Sequence, residues 1–386
     1  MAVKIYLGSL DQQLAALFSY PNIPGTTEPL ADTILHWFRY TLDRDGVGKE
    51  AKASIQIDGS HYSLILDGPA SLDKVFAIYQ ERLPKLLASG LTALTKSIPL
   101  IKEKGLWDPK KDGWRFFLPL GLPMANQRSV QLFHYPPIKL LNPLRDYLND
   151  PVPVRWGELL EANGIKGDPE AYLLETVIDS APVAASDDQG EFISPMLTPD
   201  DYFEQYQRDL LPLLLNPAPQ GRGFTVPLIV LGGPAREVFT TLTGVKLGVN
   251  QTAIVELVPG LKTAALAANH PYYFYAQAQG FTTVGSGKML PDGCPKARPI
   301  MLADLISARW QVLMAENPTE DPKAVLDKCI AYWNDKERAE TVCAFVQRHG
   351  SLYYEGGDPS KFRYLLSLEE GKKFCKEHDN NPCAGL

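Results

Sequence analysis

The stretch Val226-Pro-Leu-Ile-Val-Leu-Gly-Gly-Pro-Ala235 decides the fold of this chain. Its apolar run up to Leu231 contains no charge, which is typical of a strand that is buried on both faces of a sheet. Two glycines and a proline end the run, and a helical pattern follows from Ala235 to Leu242. Since a buried strand that turns directly into a helix is half of a β-α-β unit, the stretch predicts a parallel sheet covered by helices.

Similar runs on both sides extend this pattern over residues 111–300. Strands that alternate with helices imply right-handed crossovers, and the carboxyl ends of the strands then meet at one edge of the sheet, where α/β proteins bind ligands. The sequence therefore predicts an α/β domain there. Its other expected strands and helices are Arg115–Gly121, Trp156–Asn163, Ala171–Ile178, Asp200–Leu215 and Thr263–Ala268.

The two flanks carry different patterns. Residues 1–110 predict an α+β region, because two alternating runs are joined by Asp58-Gly59-Ser60, a hairpin signal. Residues 301–386 predict a helical extension, because apolar residues recur there at helical spacing. The expected elements of the flanks are Ala53–Ile57, Tyr62–Leu66, Leu30–Leu42, Ser71–Ala88, Met301–Met314, Pro322–Trp333 and Arg338–His349.

Charge is distributed unevenly along the chain. The net charge of -7 argues against a general nucleic-acid coat, although phosphate attraction depends on where the charge lies. Residues 221–300 carry seven Lys or Arg against three acidic residues, whereas residues 166–209 carry two against eleven. We therefore expect one basic surface on an acidic protein.

The cysteines and the N-terminus predict a cytoplasmic protein. The chain has five cysteines, an odd number, so free thiols in a reducing compartment are the simplest expectation. Cys375, His378 and Cys383 lack the paired spacing of usual zinc sites, and we expect no metal and no organic cofactor. The N-terminus is unlike a secretory signal, and no apolar run reaches the ~20 residues that span a bilayer, so we expect no membrane association.

The expected strand ends resemble the uracil-DNA glycosylase superfamily in the central domain. The pairing of Val226–Ala235 with Ala265-Leu-Ala-Ala-Asn-His-Pro271 is the most specific part of the resemblance. It implies a three-layer α/β/α domain with a short, mainly parallel sheet. It also implies a DNA glycosylase, which flips a base out of the DNA, hydrolyses its N-glycosidic bond and leaves an abasic site.

The resemblance implies that His270 is catalytic and stabilises the negative charge of the leaving base. Asp179 takes the position of a base reader that is commonly Asn in the family. Because a carboxylate only accepts hydrogen bonds, Asp179 suits the amino group of cytosine better than uracil. The expected substrate is therefore uracil or a modified, cytosine-type base, and phage DNA with such bases suggests a role in defence. As an alternative, Asp179 caps a turn and His270 is an ordinary strand-end residue.

The other expected site residues surround these two. Gly121 is expected to contribute to the base pocket. The family has a polar or acidic residue after this glycine, which positions water, but here Leu122 follows. Asn126 or Gln127 is therefore the candidate to orient the water. Phe133 or Tyr135 would stack on the base. DNA contacts are expected, through a groove wedge or phosphate binding, from Pro271, Tyr272, Tyr273, Ser286, Lys288 and Arg298.

Each of these assignments has an open alternative. The aromatic rings fit a packed core equally well, and Asn126 and Gln127 fit ordinary loop amides. The domain as a whole fits a catalytically inactive module that binds nucleic acid or nucleotides, since a fold does not guarantee activity. A different doubly wound enzyme acting on nucleotides or small metabolites is the third alternative. In every case a monomer is expected.

Overall fold

The structure is a computed structural model. It describes residues 2–9, 38, 42, 50–103, 115–116, 127–133, 174–179, 183–184, 199–216, 223–269, 294 and 298–349. Within these ranges, no helix combines the length and the apolar character needed to cross a membrane.

Strands and helices both contribute to the described part of the chain, which confirms a broadly α/β protein. In chain order the elements are β1 (Ala2–Ser9), β2 (Lys52–Asp58), β3 (His61–Asp67), a 3-10 turn (Ala70–Leu72), α1 (Asp73–Glu103), β4 (Arg115–Phe116), β5 (Gln127–Phe133), β6 (Leu174–Asp179), β7 (Val183–Ala184), α2 (Pro199–Leu215), β8 (Leu228–Leu231), α3 (Gly233–Thr243), β9 (Thr252–Val258), β10 (Leu261–Ala268), α4 (Arg298–Glu316), α5 (Pro322–Trp333) and α6 (Lys336–His349).

The N-terminal flank contains an antiparallel sheet in the order β1-β3-β2. The predicted hairpin is confirmed: β2 and β3 pair directly, and Gly59 takes a positive φ of 59° in the turn between them. Helix α1 confirms the helix expected from Ser71 and continues well past Ala88. Of the helix expected over Leu30–Leu42, only Phe38 and Leu42 lie within the described residues, and both are helical.

A five-stranded sheet has the order β6-β5-β8-β10-β9. β5, β8 and β10 are parallel neighbours, with Val130 opposite Leu228 and Ala268 opposite Leu231. β9 pairs antiparallel with β10 at the edge. β8 is buried along its whole length, as the unbroken apolar run predicted.

The first strand of this sheet is not the one expected from the sequence. Of Arg115–Gly121, only Arg115–Phe116 is a described strand, and it pairs with β7 in a separate two-stranded sheet. The strand beside β8 is β5. Pro119 explains the error, because a proline in the expected strand has no N–H to donate to a central ladder.

Contacts divide the chain into two compact units. The first contains Met1–Ala125, Phe133–Leu148 and Thr176–Pro219, and the second contains Asn126–Leu132, Asn149–Glu175 and Gln220–Leu386. Helices α4, α5 and α6, which confirm the three helices expected after residue 300, therefore belong to the same unit as β8 to β10. The domain boundary expected at residue 300 does not coincide with a division between these units.

In the first unit, α1 packs against β1 and α2. Phe38 and Tyr79 are buried there in an edge-to-face contact, with ring centroids 5.2 Å apart. Arg82 of α1 is also buried and donates a hydrogen bond from Nη1 to the carbonyl oxygen of Leu213, at 2.8 Å. Burial lowers the pKa of Arg82, and the charge of Glu81 opposes that shift. Because the last four carbonyls of a helix have no partner within it, Arg82 caps the C-terminus of α2.

In the second unit, α3 packs against β8 and β9, and α4 packs against β8 and β10. α4 is buried along most of its length. Its Trp310 meets Phe224 edge to face, with centroids 5.4 Å apart, just before β8 begins. The helices after residue 300 therefore cover the sheet.

The cysteines correct a further expectation. Cys294 and Cys343 form a disulfide, with their Cα atoms 5.6 Å apart, so the prediction of free thiols is wrong for these two residues. Cys329 is buried in α5 and is not part of this disulfide. Cys375 and Cys383 lie outside the described residues.

We predict that Arg82→Met destabilises the first unit by about 1.5–3 kcal/mol, because the substitution removes a buried, charge-assisted hydrogen bond to a helix terminus. Urea unfolding followed by circular dichroism measures the change. Lys85→Met is the control, because Lys85 lies one turn later in an exposed ion pair with Glu81; we expect it to change stability by less than about 1 kcal/mol. Equal effects of the two substitutions would contradict the capping role.

We also predict an acid-sensitive turn between β9 and β10. Glu256 accepts hydrogen bonds from the Gly260 N–H at 2.9 Å and from Lys262 Nζ at 3.3 Å. The first of these bonds, with a smaller contribution from Lys262, lowers the pKa of Glu256. A lowered pKa in the folded state means that the stabilisation is present above the unfolded pKa and is lost as the pH falls through the folded pKa. The Gly260 amide shift in NMR should therefore titrate with a midpoint below about 4.3, the unperturbed Glu value. Glu256→Gln should abolish this titration, and a midpoint at or above that value would contradict the prediction.

Candidate functional site

The carboxyl ends of β8 and β10 form one edge in the second unit. Ala268 lies opposite Leu231 in the parallel register. The N–H of Gly232 donates to the carbonyl oxygen of Ala268 at 3.0 Å, which extends the ladder beyond the end of β8. The turn after β8 and the chain after β10 therefore leave the sheet side by side.

The turn at Gly232 depends on glycine. Gly232 has φ 90° and ψ 171°, a backbone conformation that residues with a Cβ rarely adopt. Helix α3 begins at the next residue, with Pro234 in its first turn, and no side chain caps it. The free N–H groups of that turn, together with the helix dipole, make this edge electropositive.

Arg236 adds a charged side chain to the same edge. Its Nη1 donates to the carbonyl oxygen of Ala268 at 3.4 Å, and its Nη2 lies 4.0 Å from the position that a Cβ would take at Gly233. No carboxylate forms an ion pair with Arg236 among the described residues. A cation in the first turn of a helix opposes the helix dipole. The arrangement therefore favours an anion at this edge.

Arg236 is not among the site residues predicted from the sequence. A signal was present, because the residue is a cation within the first turn of a helix that starts directly after a buried strand. Ala268 is the last residue of β10. Only the side-chain hydrogen bond from Arg236 to Ala268 reveals that the guanidinium lies at the carboxyl end of β10.

The strand order gives a second reason to consider this edge. β5 and β8 are adjacent, while β6, which follows β5 in the chain, lies on the other side of β5. The direction of the strand order thus changes between β5 and β8. In α/β sheets, ligands bind outside the carboxyl ends of the strands at such a switch point.

β5 contains buried polar side chains beside β8. Ser129 and Gln131 are buried, and Gln131 pairs with Ile229. The Oε1 atom of Gln131 has no hydrogen-bond partner within the described structure. Since buried polar atoms are nearly always hydrogen-bonded, Gln131 is a further candidate for contact with a ligand or an ordered water.

Two of the residues predicted from the sequence do not fit their expected roles. Gln127 is the first residue of β5 and lies at the amino end of that strand, away from the edge formed by Gly232. Its expected role in orienting water does not agree with this position. Phe133 is the last residue of β5, but its side chain is only 6% exposed, which favours the alternative of a core residue over base stacking.

Two further candidates lie at element ends. Asp179 is the last residue of β6, where the sequence predicted a strand end. Arg298 is the first residue of α4 and is half-buried.

The remaining predicted residues lie outside the described residues: Gly121, Asn126, Tyr135, His270, Pro271, Tyr272, Tyr273, Ser286 and Lys288. In the part of the chain that is described, no group of three or more His, Cys, Asp or Glu side chains could hold a metal ion. No family model, curated protein or solved structure matches the chain.

We predict that Gly232→Ala destabilises the second unit by about 1–3 kcal/mol, because a Cβ is strained at this φ and ψ. Gly233→Ala is the matched control, since the added Cβ would meet its nearest described neighbour, Arg236 Nη2, at an ordinary 4.0 Å. Urea unfolding of the two variants should show a loss for the first and a change of less than about 1 kcal/mol for the second. A neutral Gly232→Ala would contradict the proposed constraint on this edge.

Proposed function

We propose that the protein is a DNA glycosylase, which hydrolyses the N-glycosidic bond of a flipped-out uracil or modified, cytosine-type base and leaves an abasic site. The observation that carries the proposal is the shared edge of β8 and β10. The Gly232 turn and Asn269, which directly precedes His270, leave this edge side by side, and these are the two segments on which the resemblance depends. The proposal includes a three-layer α/β/α arrangement of the domain.

The charge at this edge suits the proposed reaction. Water adds to C1′ of the deoxyribose, the bond from C1′ to the base nitrogen breaks, and the base leaves with the electron pair as an anion. Donors fixed in position before that charge develops lower the barrier. In the proposal, His270 donates to the base oxygen O2, while Arg236 and the first turn of α3 supply positive potential nearby.

Asp179 keeps the base-reading role that the resemblance implies. Asp179 ends β6 and would accept a hydrogen bond from the exocyclic amino group of a cytosine-type base. Because Phe133 is buried, Tyr135 is the better candidate to stack on the base. Gly121 keeps its proposed place in the pocket. Asn126 directly precedes Gln127 in the chain, so the position of Gln127 speaks against Asn126 as the water-orienting residue as well.

DNA binding is assigned to the chain that follows β10. Tyr272 and Tyr273, after Pro271, would enter the groove, and Ser286, Lys288 and Arg298 would contact phosphates. A preference for modified cytosines in phage DNA would make the protein part of a defence against phage infection.

A catalytically inactive module that binds nucleic acid or nucleotides is the second candidate. It is favoured by the position of Gln127 at the amino end of β5, because Asn126, the other residue proposed to orient water, directly precedes Gln127 in the chain. The apolar Leu122 after Gly121 favours it as well.

A cleavage assay separates the two candidates. The purified full-length protein is incubated with duplex and single-stranded oligonucleotides that carry deoxyuridine, hydroxymethylated or glucosylated deoxycytidine, or no modification, and abasic sites are then cut with alkali. We expect strand cleavage at a uracil or a modified cytosine. Binding without cleavage would favour the inactive module, and neither binding nor cleavage would overturn both.

Two substitutions test the proposed roles within that assay. His270→Ala should lower the single-turnover rate by roughly 100-fold or more, as expected when a donor to a developing anion is lost. Arg236→Gln should lower the rate roughly 10-fold, equivalent to about 1.4 kcal/mol in the barrier. Lys246→Gln is the control, because it removes the same charge from an exposed position beyond the other end of α3. Equal effects of the Arg236 and Lys246 substitutions would exclude a specific role for Arg236.

A further inference from the structure

The disulfide connects two parts of the helical layer that are distant in the chain. Cys294 is fully buried shortly before α4, and Cys343 lies in α6, with a sequence separation of 49 residues. Helices α4 and α5 pack on the sheet, whereas α6 packs on α4 and α5. The disulfide therefore ties the outermost helix of this layer to the chain segment beneath it.

Over residues 336–344, the part of α6 whose side chains the structure describes, few other interactions hold the helix. Among its described side chains, Val342 is the one that is fully buried. Its ion pairs are exposed: Lys336 and Glu340 have 89% and 70% of their side-chain surface in solvent, and Arg338 pairs with Asp335 at 3.4 Å. Such pairs contribute little to stability. Over residues 336–344, the attachment of α6 thus depends strongly on the disulfide.

Cation–π contacts also link the three helices. The guanidinium of Arg338 in α6 lies 4.0 Å from the ring centroid of Tyr332 in α5, and the guanidinium of Arg309 in α4 lies 3.7 Å from the same centroid. The guanidinium groups of Arg309 and Arg338 repel each other at the same ring, and this repulsion weakens the attachment of α6 to α5. The contact between Arg338 and Tyr332 can guide α6 back to its place without holding it there alone.

The second unit has a large buried core of its own. Permanent disulfides are typical of small secreted domains that cannot bury a sufficient core. Here Phe239, Trp310 and Trp333 are among the largest fully or nearly fully buried side chains, and they pack within the sheet and helix layer. Cys343 is also half-buried rather than enclosed, so its sulfur is the more accessible of the two to a small thiol.

We propose that the Cys294–Cys343 disulfide is a redox-reversible clasp that holds α6 on α4 and α5. The reductant is a dithiol. Its thiolate attacks Sγ of Cys343, the disulfide bond breaks, and Sγ of Cys294 leaves with the electron pair and takes up a proton. The second thiol of the reductant then attacks the mixed disulfide, which releases the Cys343 thiol and the oxidised dithiol. Reduction frees α6 and exposes the surfaces of α4 and α5 beneath it. This inference is independent of the proposed glycosylase activity.

Alkylation and hydrogen exchange of the full-length protein test the clasp. The protein is purified without reductant and treated with iodoacetamide, before and after incubation with dithiothreitol under native conditions, and peptides are analysed by mass spectrometry. We expect Cys294 and Cys343 to be alkylated only after reduction. Amide exchange in residues 336–344 should rise about 10-fold on reduction, while β8 and β10 remain protected, because α6 opens locally.

Two variants provide the matched comparison. Cys343→Ser should show the fast exchange of the reduced protein whether or not dithiothreitol is present. Cys329→Ala should keep the full response to dithiothreitol, because Cys329 is not part of the disulfide. Since the wild-type comparison needs no substitution, the test does not depend on the folding of either variant.

Three outcomes would overturn the proposal. Alkylation of both cysteines without reductant would show that the bond is absent in solution. Resistance of the bond to native dithiothreitol would identify a permanent structural link. Reduction without faster exchange in residues 336–344 would show that other contacts suffice to hold α6.

Discussion

The parallel pairing of β8 with β10 is the constraint on which the second unit depends. At its carboxyl end the ladder is closed by the Gly232 N–H on the Ala268 carbonyl. At its amino end, Thr225 N–H donates to the Lys262 carbonyl at 2.8 Å, and the hydroxyl of Thr225 donates to that of Thr263 at 2.8 Å. Because both ends are satisfied, the register of the two strands cannot shift without leaving buried polar groups unpaired.

The layers around this pair follow from its burial. β8 is buried along its whole length and β10 from Thr263 onward, and helices cover them: α3 packs against β8 and β9, and α4 packs against β8 and β10. β9 pairs with the side of β10 that faces away from β8. The same constraint that stabilises the unit therefore brings together Gly232, Arg236 and Asn269.

Much of the fold was predictable from local pattern. The hairpin of β2 and β3, helices α1 to α6 and strands β6, β8 and β10 correspond to periodic runs in the sequence. The errors occurred where local pattern is ambiguous. The run at Arg115 was apolar enough to resemble a strand, whereas β5, which begins at Gln127, contains Ser129 and Gln131 and looks too polar for a central strand. β9 is absent from the elements predicted from the sequence. Its residues alternate from Thr252 to Val258, and the short Pro259-Gly260 turn that follows joins it to β10 in a hairpin.

The sequence by itself determined most of the helices, several strands and the excess of basic residues over 221–300, since burial, helical spacing and charge are properties of consecutive residues. Only the tertiary structure decided that β5 lies beside β8 and that Arg236 donates a hydrogen bond to the carbonyl of Ala268. It also decided that Arg82 caps α2 and that Cys294 and Cys343 form a disulfide. Each of these pairings joins residues far apart in the chain, and their free energy depends on distance and burial in the folded state. No local pattern of residues encodes that information.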